Sequence, residues 1–598
     1  MKKLLVVVLA AVMSLSLVAC GPKEAPQTED KEPVATMNDG TYIGESRGMK
    51  PMKVEVVVSE GKIASVEVIE NGETPNLSTR ALTEIPEQIV ELQGLGVDVI
   101  TGSTVSSGAV IAGAADALEQ AGADVAALKK IRKEVVKEED KTVEADVVVV
   151  GAGGAGLAAA ITANQNGASV AVIEKMGKTG GNTTLAGGAL NAVDDGSETA
   201  LANKDSVQLH YDQTFKGGDE KANPELVRVF VDNAWEGVEW LKSLGMEFLP
   251  GTFTVLGGLW PRAHKPVEPI GTGFFKAYDA YIAEHDDVNI DFNTRANHFI
   301  VEDGKVVGVE ATGPTGNTIT YKAKNGVVLA TGGFSQNVEM RQEYNTIWSD
   351  LGPNLKSTNH PGATGDGVTM AKEVNADFVG MEYIQLLPMG DPQTGSLSGN
   401  IEMGVENRLY VNDEGNRFVD EGARRDVMTA ALIDQPNSHM WIVLDSHDYV
   451  TGDEVNNFNE SLNDLIAAGR AFKGETLDDL AKEIGVDAEN LKNAIAGFNA
   501  ACNGEKEDEF GRTLFKDPID KGPFYAAPRI PTVHHTCGGV KINTEAEVID
   551  LDGNVIPNLY AAGEVTGGIH GSNRLGGNAL TDTVVFGRIA GANAAAAK

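Results

Sequence analysis

Ala145-Asp-Val-Val-Val-Val150 runs directly into Gly151-Ala-Gly-Gly-Ala-Gly156, and Leu157 to Asn166 is then mostly alanine and aliphatic. A valine-rich run, a glycine turn and an apolar helix form the opening of a βαβ unit. A second short strand is expected over Ser169–Glu174, with Glu174 lying 23 residues after Gly151. That spacing suits an acidic side chain that binds ribose hydroxyls, while the glycines let a pyrophosphate approach the helix amino terminus. A lone Gly-x-Gly-x-x-Gly is weak evidence; its placement between strand and helix, with the acid downstream, makes it specific. The glycine-rich loop Lys175-Met-Gly-Lys-Thr-Gly-Gly-Asn-Thr-Thr184 favours FAD over NAD, because it can lie along a flavin. Gly563-Glu564, after a strand at Leu559–Ala562, is a second ribitol-binding signal.

Outward from this motif, α/β alternation continues with strands at Lys305–Ala311 and Gly326–Ala330. Residues 379–524 read as an inserted domain with a hairpin at Leu409–Phe418 and helices near Thr476–Asn499. The fold class is α/β: a Rossmann-like FAD-binding domain (142–378 and 525–598), an inserted α+β capping domain (379–524), and a small amino-terminal α+β domain (36–120), with a charged linker at 121–141. In the small domain Asp39-Gly-Thr-Tyr42 opens a strand. Val54–Val58 and Ile63–Val68 flank the hairpin signal Glu60-Gly-Lys62, and helices are expected at Ala81–Gln93 and Gly108–Gln120.

The first 20 residues read as an address: Lys2-Lys3, an apolar run from Leu4 to Val18, and Leu17-Val-Ala-Cys20, which looks like a bacterial lipobox. Lipidation of Cys20, with residues 21–35 as a flexible tether, would hold the protein on the outer face of the cytoplasmic membrane. An ordinary secretion signal with a chance cysteine is the plainer alternative. The net charge of −37 sets the surface against nucleic acid, although solubility alone also accounts for it. With three cysteines and no Cys-x-x-Cys-His, no attached haem or iron–sulfur cluster is expected, nor any other metal; Cys537 reads as a small packing residue.

Residues 141–598 resemble the flavoprotein subunit family of fumarate reductase and succinate dehydrogenase, in its soluble flavocytochrome and urocanate-reductase branch. The resemblance rests on Gly151–Gly156, Gly180-Gly-Asn-Thr183, Ala186-Gly-Gly188, Ala330-Thr-Gly-Gly-Phe334, Asn359-His-Pro-Gly-Ala-Thr-Gly-Asp-Gly367, His534-His-Thr-Cys-Gly-Gly539 and the run from Ala562 to Ala579. It implies non-covalent FAD near Gly151, Gly153, Gly154, Ala155, Gly156, Glu174, Asn182, Thr183, Gly187, Gly188, Ala296, Asp366, His535, Glu564, Ala579 and Leu580. The amino-terminal unit resembles the FMN-binding domain of electron-transfer flavoproteins, whose acceptor threonine carries FMN through a phosphoester. Here the run is Gly102-Ser-Thr104, so Thr104 is the expected site of covalent FMN; a plain Ser/Thr turn at a helix start is the alternative. A flavin transferase is then an implied partner, as is a membrane quinol or external electron donor.

For the substrate, the resemblance implies that Arg574 and His534 hold a carboxylate, with Gly577 alongside, and that Arg425 rather than Arg424 donates the proton. Guanidinium rarely loses its proton, so a carboxylate relay is needed. Glu402 and Glu406 are the candidates, and spacing favours Glu402. Fumarate enzymes of this branch carry a histidine in Gln-Ala-His-Pro, but this chain reads Gln385-Leu-Leu-Pro388, which places Leu387 there. The Thr-Glu pair for the second carboxylate is rewritten as Ser398-Gly-Asn-Ile-Glu-Met403. A second carboxylate against Leu387 would be buried without a partner, at a cost of several kcal/mol. The expectation is reduction of the C=C bond of an α,β-unsaturated monocarboxylate of urocanate or cinnamate type, with fumarate as the alternative. A steroid Δ1-dehydrogenase or a non-catalytic electron carrier is a further reading, disfavoured by Arg425 and Arg574.

Overall fold

The computed structural model describes residues 37–597 except 49, 74–77, 101–102, 134–135 and 403; the side chain of Thr104 is also outside the description. The signal segment, Cys20 and the tether therefore lie outside the described residues. Among the described residues, no helix is long and apolar enough to cross a membrane. The chain divides into a small unit, which comprises most of the described residues up to Lys133, and a large one, which comprises the chain beyond it together with the short segments 78–80, 99–100 and 103–104.

In the small unit, Gly40–Arg47, Pro51–Ser59 and Lys62–Glu70 form a three-stranded antiparallel sheet in chain order. Met52, Val54, Val56 and Val58 alternate inward, the period-2 pattern of a sheet with one buried face. Glu60 and Gly61 take positive φ of 54° and 69°, as a two-residue hairpin turn requires. Helices cover Thr79–Leu92 and Thr104–Gln120. The charged stretch expected as a linker contains one short helix, Val125–Leu128, capped by the side chain of Asp124.

The large unit is built on an eight-stranded sheet. Its central path runs Glu547–Ile549, Val555–Ala561, Thr318–Leu329, Lys141–Val150, Val170–Ile173, Val288–Asp291, parallel from the second strand onward. Val147–Val150 are buried on both faces, which is why that strand reads as a continuous aliphatic run. The helix after the glycine turn, Gly154–Gln165, packs on the carboxy-terminal helix Asn578–Ala596. Their backbones approach so closely that a Cβ on Gly591 would sit 2.1 Å from Ala159 O.

The inserted layer is an antiparallel sheet ordered Ile384–Gly390, Phe524–Thr536, Met440–Asp445, Leu409–Asn412, with Phe472–Gly474 also paired to Phe524–Thr536. Two differences from the sequence reading stand out. No hairpin spans 409–418: Leu409–Asn412 pairs with Met440–Asp445, and Asn412 Oδ1 instead accepts the backbone N–H groups of Glu414 and Asn416. That side-chain turn competes with strand continuation and ends the strand. The boundary drawn at 524/525 falls inside this sheet, because the strand from Phe524 continues to Thr536. That strand delivers His534 and His535 from the cap layer into the site.

Candidate active site

A cavity of about 330 Å³ lies in the large unit between the carboxyl ends of the central strands and the inserted layer. Gly151, Gly153, Gly154, Ala155 and Glu174 line one end, with Asp366 and Ala296 beside them. Asn182, Thr183, Gly187 and Gly188 line the middle, as do His535, Glu564, Ala579 and Leu580. Leu387, Glu402, Arg425, His534, Arg574 and Gly577 line the other end. Gly156 does not line the cavity: a Cβ there would lie 1.8 Å from Gly151 O, so this glycine serves the turn's own packing. Glu406 does not line it either, so of the two candidate carboxylates only Glu402 reaches the cavity.

The residues fit an extended dinucleotide. Gly151 has φ +109°, and a Cβ there would lie 2.4 Å from Ala330 O, so the turn itself demands glycine. Gly153 and Gly187 are different. The nearest atom to a Cβ on Gly153 is 3.8 Å away, and none lies within 4 Å of one on Gly187, so the missing side chains leave space in the cavity rather than relieve a clash. The helices Gly154–Gln165 and Asn578–Ala596 both begin without a capping side chain at the residue before them, and their first N–H groups donate to Thr183 Oγ1 at 3.3 Å and to Leu575 O at 3.2 Å, so an anionic or carbonyl acceptor would meet the N–H groups that follow. Glu174 accepts N–H bonds from Ala152 at 2.8 Å and Met176 at 2.7 Å, which fixes its carboxylate while lone pairs remain for hydroxyl donors. Asn182 Nδ2 donates to Glu564 Oε2 at 2.9 Å, and Glu564 Oε1 accepts from Thr536 N at 3.0 Å. Burial raises the carboxyl pKa of Glu564 above its ordinary value. Asp366 is itself held by Lys175 at 3.0 Å and Arg295 at 3.0 Å.

The far end carries buried cationic groups. Arg425 opens the cap helix Arg425–Ile433 and is 6% exposed. Its Nε and Nη2 donate to Leu256 O at 3.1 and 2.9 Å, and Nη1 reaches Gln385 Oε1 at 3.4 Å. Burial, then the charges of Arg574 and Arg408, pull the Arg425 pKa well below the usual guanidinium range. Arg574, 4% exposed, donates from Nη1 to Leu575 O at 3.2 Å, while its Nε has no acceptor. A buried guanidinium with spare donors is costly unless an anion completes it. His534 Nδ1 is 2.8 Å from Thr358 Oγ1, which leaves Nε2 for a ligand. Burial and the two arginines hold the His534 pKa well below its ordinary value, so the ring is neutral. His535 Nδ1 lies 3.6 Å from Glu564 Oε1.

Leu256, Leu387, Met389 and Leu397 also line the cavity, together with the polar Thr254, Asn400 and Asn457. Glu402 Oε2 accepts from Arg408 Nη1 at 2.9 Å. Sequence reasoning missed Arg408, Leu256 and the bridging amide of Gln385, whose Nε2 donates to Arg574 O and Asn573 Oδ1, both at 2.9 Å. Gln385 stood in the quoted Gln-Leu-Leu-Pro stretch, so its position was visible but its partners were not. Cys537 is buried, and burial pushes its thiol up to about 12, which suits packing rather than nucleophilic chemistry.

Comparison with known proteins accords with this geometry. Residues 146–580 match the family model described as FAD binding domain, and residues 48–119 match that described as FMN-binding domain. The chain is 36% identical to a urocanate reductase of Eggerthella lenta, covering 98% of this chain and 96% of that protein. It is 38% identical to an NADH:acrylate oxidoreductase of Vibrio harveyi, covering 93% of this chain but only 61% of that longer protein. The open conformation of a flavocytochrome c3 fumarate reductase superposes with a TM-score of 0.62 at 35% identity, covering 76% of this chain and 78% of that one.

Proposed function

The chain belongs to the FAD-binding flavoprotein family of the fumarate reductases, in the branch with an added FMN-binding domain, and from that premise we propose that it reduces the C=C bond of an α,β-unsaturated monocarboxylate with an aromatic or apolar tail. The observation that carries the reading is the buried Arg574, whose Nε lacks an acceptor, in a cavity also lined by His534. The same cavity is lined by Leu387, where the resemblance expects a histidine for a second carboxylate, and by Met389 and Leu397. The names of the relatives support the reaction type: one acts on urocanate and one on acrylate.

In this reading Arg574 binds the carboxylate in fork geometry, and His534 donates to the same group from Nε2. Both stabilise negative charge that develops there as the double bond is reduced. FAD held along the glycine turn, Glu174 and Glu564 would supply the hydride for the β-carbon, and FMN carried by Thr104 would supply electron-transfer chemistry. Arg425 holds a proton near the α-carbon, with its fork fixed by Leu256 O and Gln385. Dense burial beside two other guanidinium groups makes Arg425 a stronger acid than free guanidinium. Glu402 is the carboxyl group that takes up a proton and passes it to Arg425; Arg408 orients it through the bond from Nη1 to Oε2. The apolar lining residues and the cap helix exclude water. The lipobox at Cys20, anchoring on the outer face of the membrane, a transferase that installs FMN, and a quinol or external donor complete the proposal.

The test is product analysis in D₂O. Reduced, flavin-loaded protein should convert a monocarboxylate enoate to the saturated acid with solvent deuterium at the α-carbon, because the guanidinium protons of Arg425 exchange. Absence of a saturated product from every enoate offered, or an α-carbon without deuterium, sinks the assignment; label at the β-carbon does not, because the transferable hydrogen of a reduced flavin also exchanges with solvent.

A further inference from the structure

Arg424, the residue before the proposed acid, makes a two-pronged ionic contact between cap and base. Its Nη1 and Nη2 meet Asp219 Oδ1 and Oδ2 at 2.6 and 2.9 Å, a two-pronged pair across 205 residues of sequence. Its Nε and Nη2 also hold Asp426 Oδ1 and Oδ2, at 3.0 and 2.7 Å, in the first turn of the cap helix. Arg424 is therefore clasped to its own helix on one edge and to the base on the other.

Asp219 is not an ordinary surface acid. It lies just beyond the helix Val207–Gly217, at φ +55°, a conformation that L side chains other than Asn and Asp rarely take. The hydroxyl of Ser572 donates to Asp219 Oδ2, and Ser572 N donates to Gly218 O at 3.0 Å. Asn573 Nδ2 donates to Gly217 O at 3.0 Å. The turn at 217–219 is thus fastened to the loop Ser572–Gly577, two residues from Arg574. The Arg424 pair further holds the Asp219 carboxyl down at about 2, so it is ionised at any working pH.

We propose that Arg424 and Asp219 form a latch that registers the helix bearing Arg425 against the loop bearing Arg574, and that both are positioning residues for proton transfer. The inference rests on the reading of Arg425 as acid and Arg574 as clamp. It goes beyond that reading in making their mutual distance depend on a third pair outside the cavity. Gln385, bonded to Arg574 O and facing Arg425, ties the same two elements from inside. The latch ties them from outside, where the side chains of Arg424 and Asp219 are 25% and 48% exposed and hence open to salt.

The test uses the fully flavin-loaded protein and Asp219→Asn, Arg424→Gln and the double variant. Asparagine tolerates the left-handed backbone and still accepts from Ser572, so Asp219→Asn removes charge with little else. The expected result is a roughly fivefold fall in kcat/KM for each single variant, the scale of a partly exposed ion pair. The double variant should fall no further than either single one. Added salt should lower kcat/KM in the wild type and leave Asp219→Asn flat. Amide hydrogen exchange over 425–433 should quicken in the variants. That last arm stands apart from substrate: if no enoate is reduced, the reaction assignment fails and exchange still decides the latch. Unchanged exchange together with unchanged kinetics, or a double variant whose loss is the product of the singles, overturns the proposal.

Discussion

Adding one methyl group at Gly257 should disable the proposed acid without touching its chemistry. Gly257 has φ +67°, and a Cβ there would lie 3.0 Å from Arg425 Cγ, 3.2 Å from Nε and 3.4 Å from Cδ. Ordinary contact needs about 3.5–4.0 Å, so the arginine must retreat by roughly half an ångström or more. That retreat disturbs the bonds to Leu256 O, which now stand at 3.1 and 2.9 Å, because Nε, one of the two donors, is among the atoms the methyl group crowds. A misplacement of about 1 Å at a reacting group can cost on the order of 100-fold, so Gly257→Ala should lower kcat by roughly 10- to 100-fold. The left-handed backbone adds a stability loss of roughly 1–2 kcal/mol. Flavin content should change little, since the glycine turn is untouched, and KM should move less than kcat, because Gly257 meets the Arg574 loop through one backbone bond, from Gly576 N to Gly257 O at 2.9 Å. The assay is anaerobic reoxidation of the reduced variant by an enoate, alongside thermal unfolding. A variant that shows the stability loss yet keeps kcat within twofold of wild type would refute the argument, because the strain would then prove the backbone held while the displaced arginine did not matter.

Arg425→Lys should retain FAD and lose about 10²–10⁴-fold in turnover, the usual range for removing a positioned acid; near wild-type turnover contradicts the role of Arg425. Thr104→Ala should leave no covalent flavin, read as the absence of fluorescence in a denaturing gel; a surviving fluorescent band means that FMN is attached elsewhere. His210 is fully buried against Phe230 and Asn578, and burial lowers its pKa from 6.5 to about 3. The unfolded chain therefore binds the extra proton between pH 6.5 and about 3, and His210 makes folding stability fall as pH drops through that window, by up to about 1.4 kcal/mol per pH unit. Denaturant unfolding of His210→Gln should show a correspondingly shallower loss between pH 6 and 4; an unchanged slope would mean that His210 is not the group responsible.

Much of the fold was legible because local pattern and global role coincide. The Val147–Val150 run is aliphatic because both its faces are buried, and Glu174 stands where the next strand must end. The residues that line the cavity were legible through motifs, since a cavity for an extended cofactor imposes glycines and small polar groups at fixed spacings. What stayed hidden depends on contacts made across the chain. Arg408 reads in sequence as one more arginine, and only its bond to Glu402 gives it a place in the site. Arg424 looked like a neighbour to be discounted, and its partner Asp219 lies 205 residues away. The expected hairpin at Leu409–Phe418 failed because Asn412 caps its own turn, a local hydrogen-bond choice that composition favours as readily as a second strand.

The most direct measurement is anaerobic reoxidation of the reduced, FMN-loaded protein by urocanate, cinnamate, acrylate and fumarate side by side. The single clamp in a cavity lined by Leu387 requires rapid turnover with at least one of the monocarboxylates and little or none with fumarate. Fast reoxidation by fumarate would contradict it, because a second carboxylate would then be held in a cavity that here presents Leu387, Met389 and Leu397.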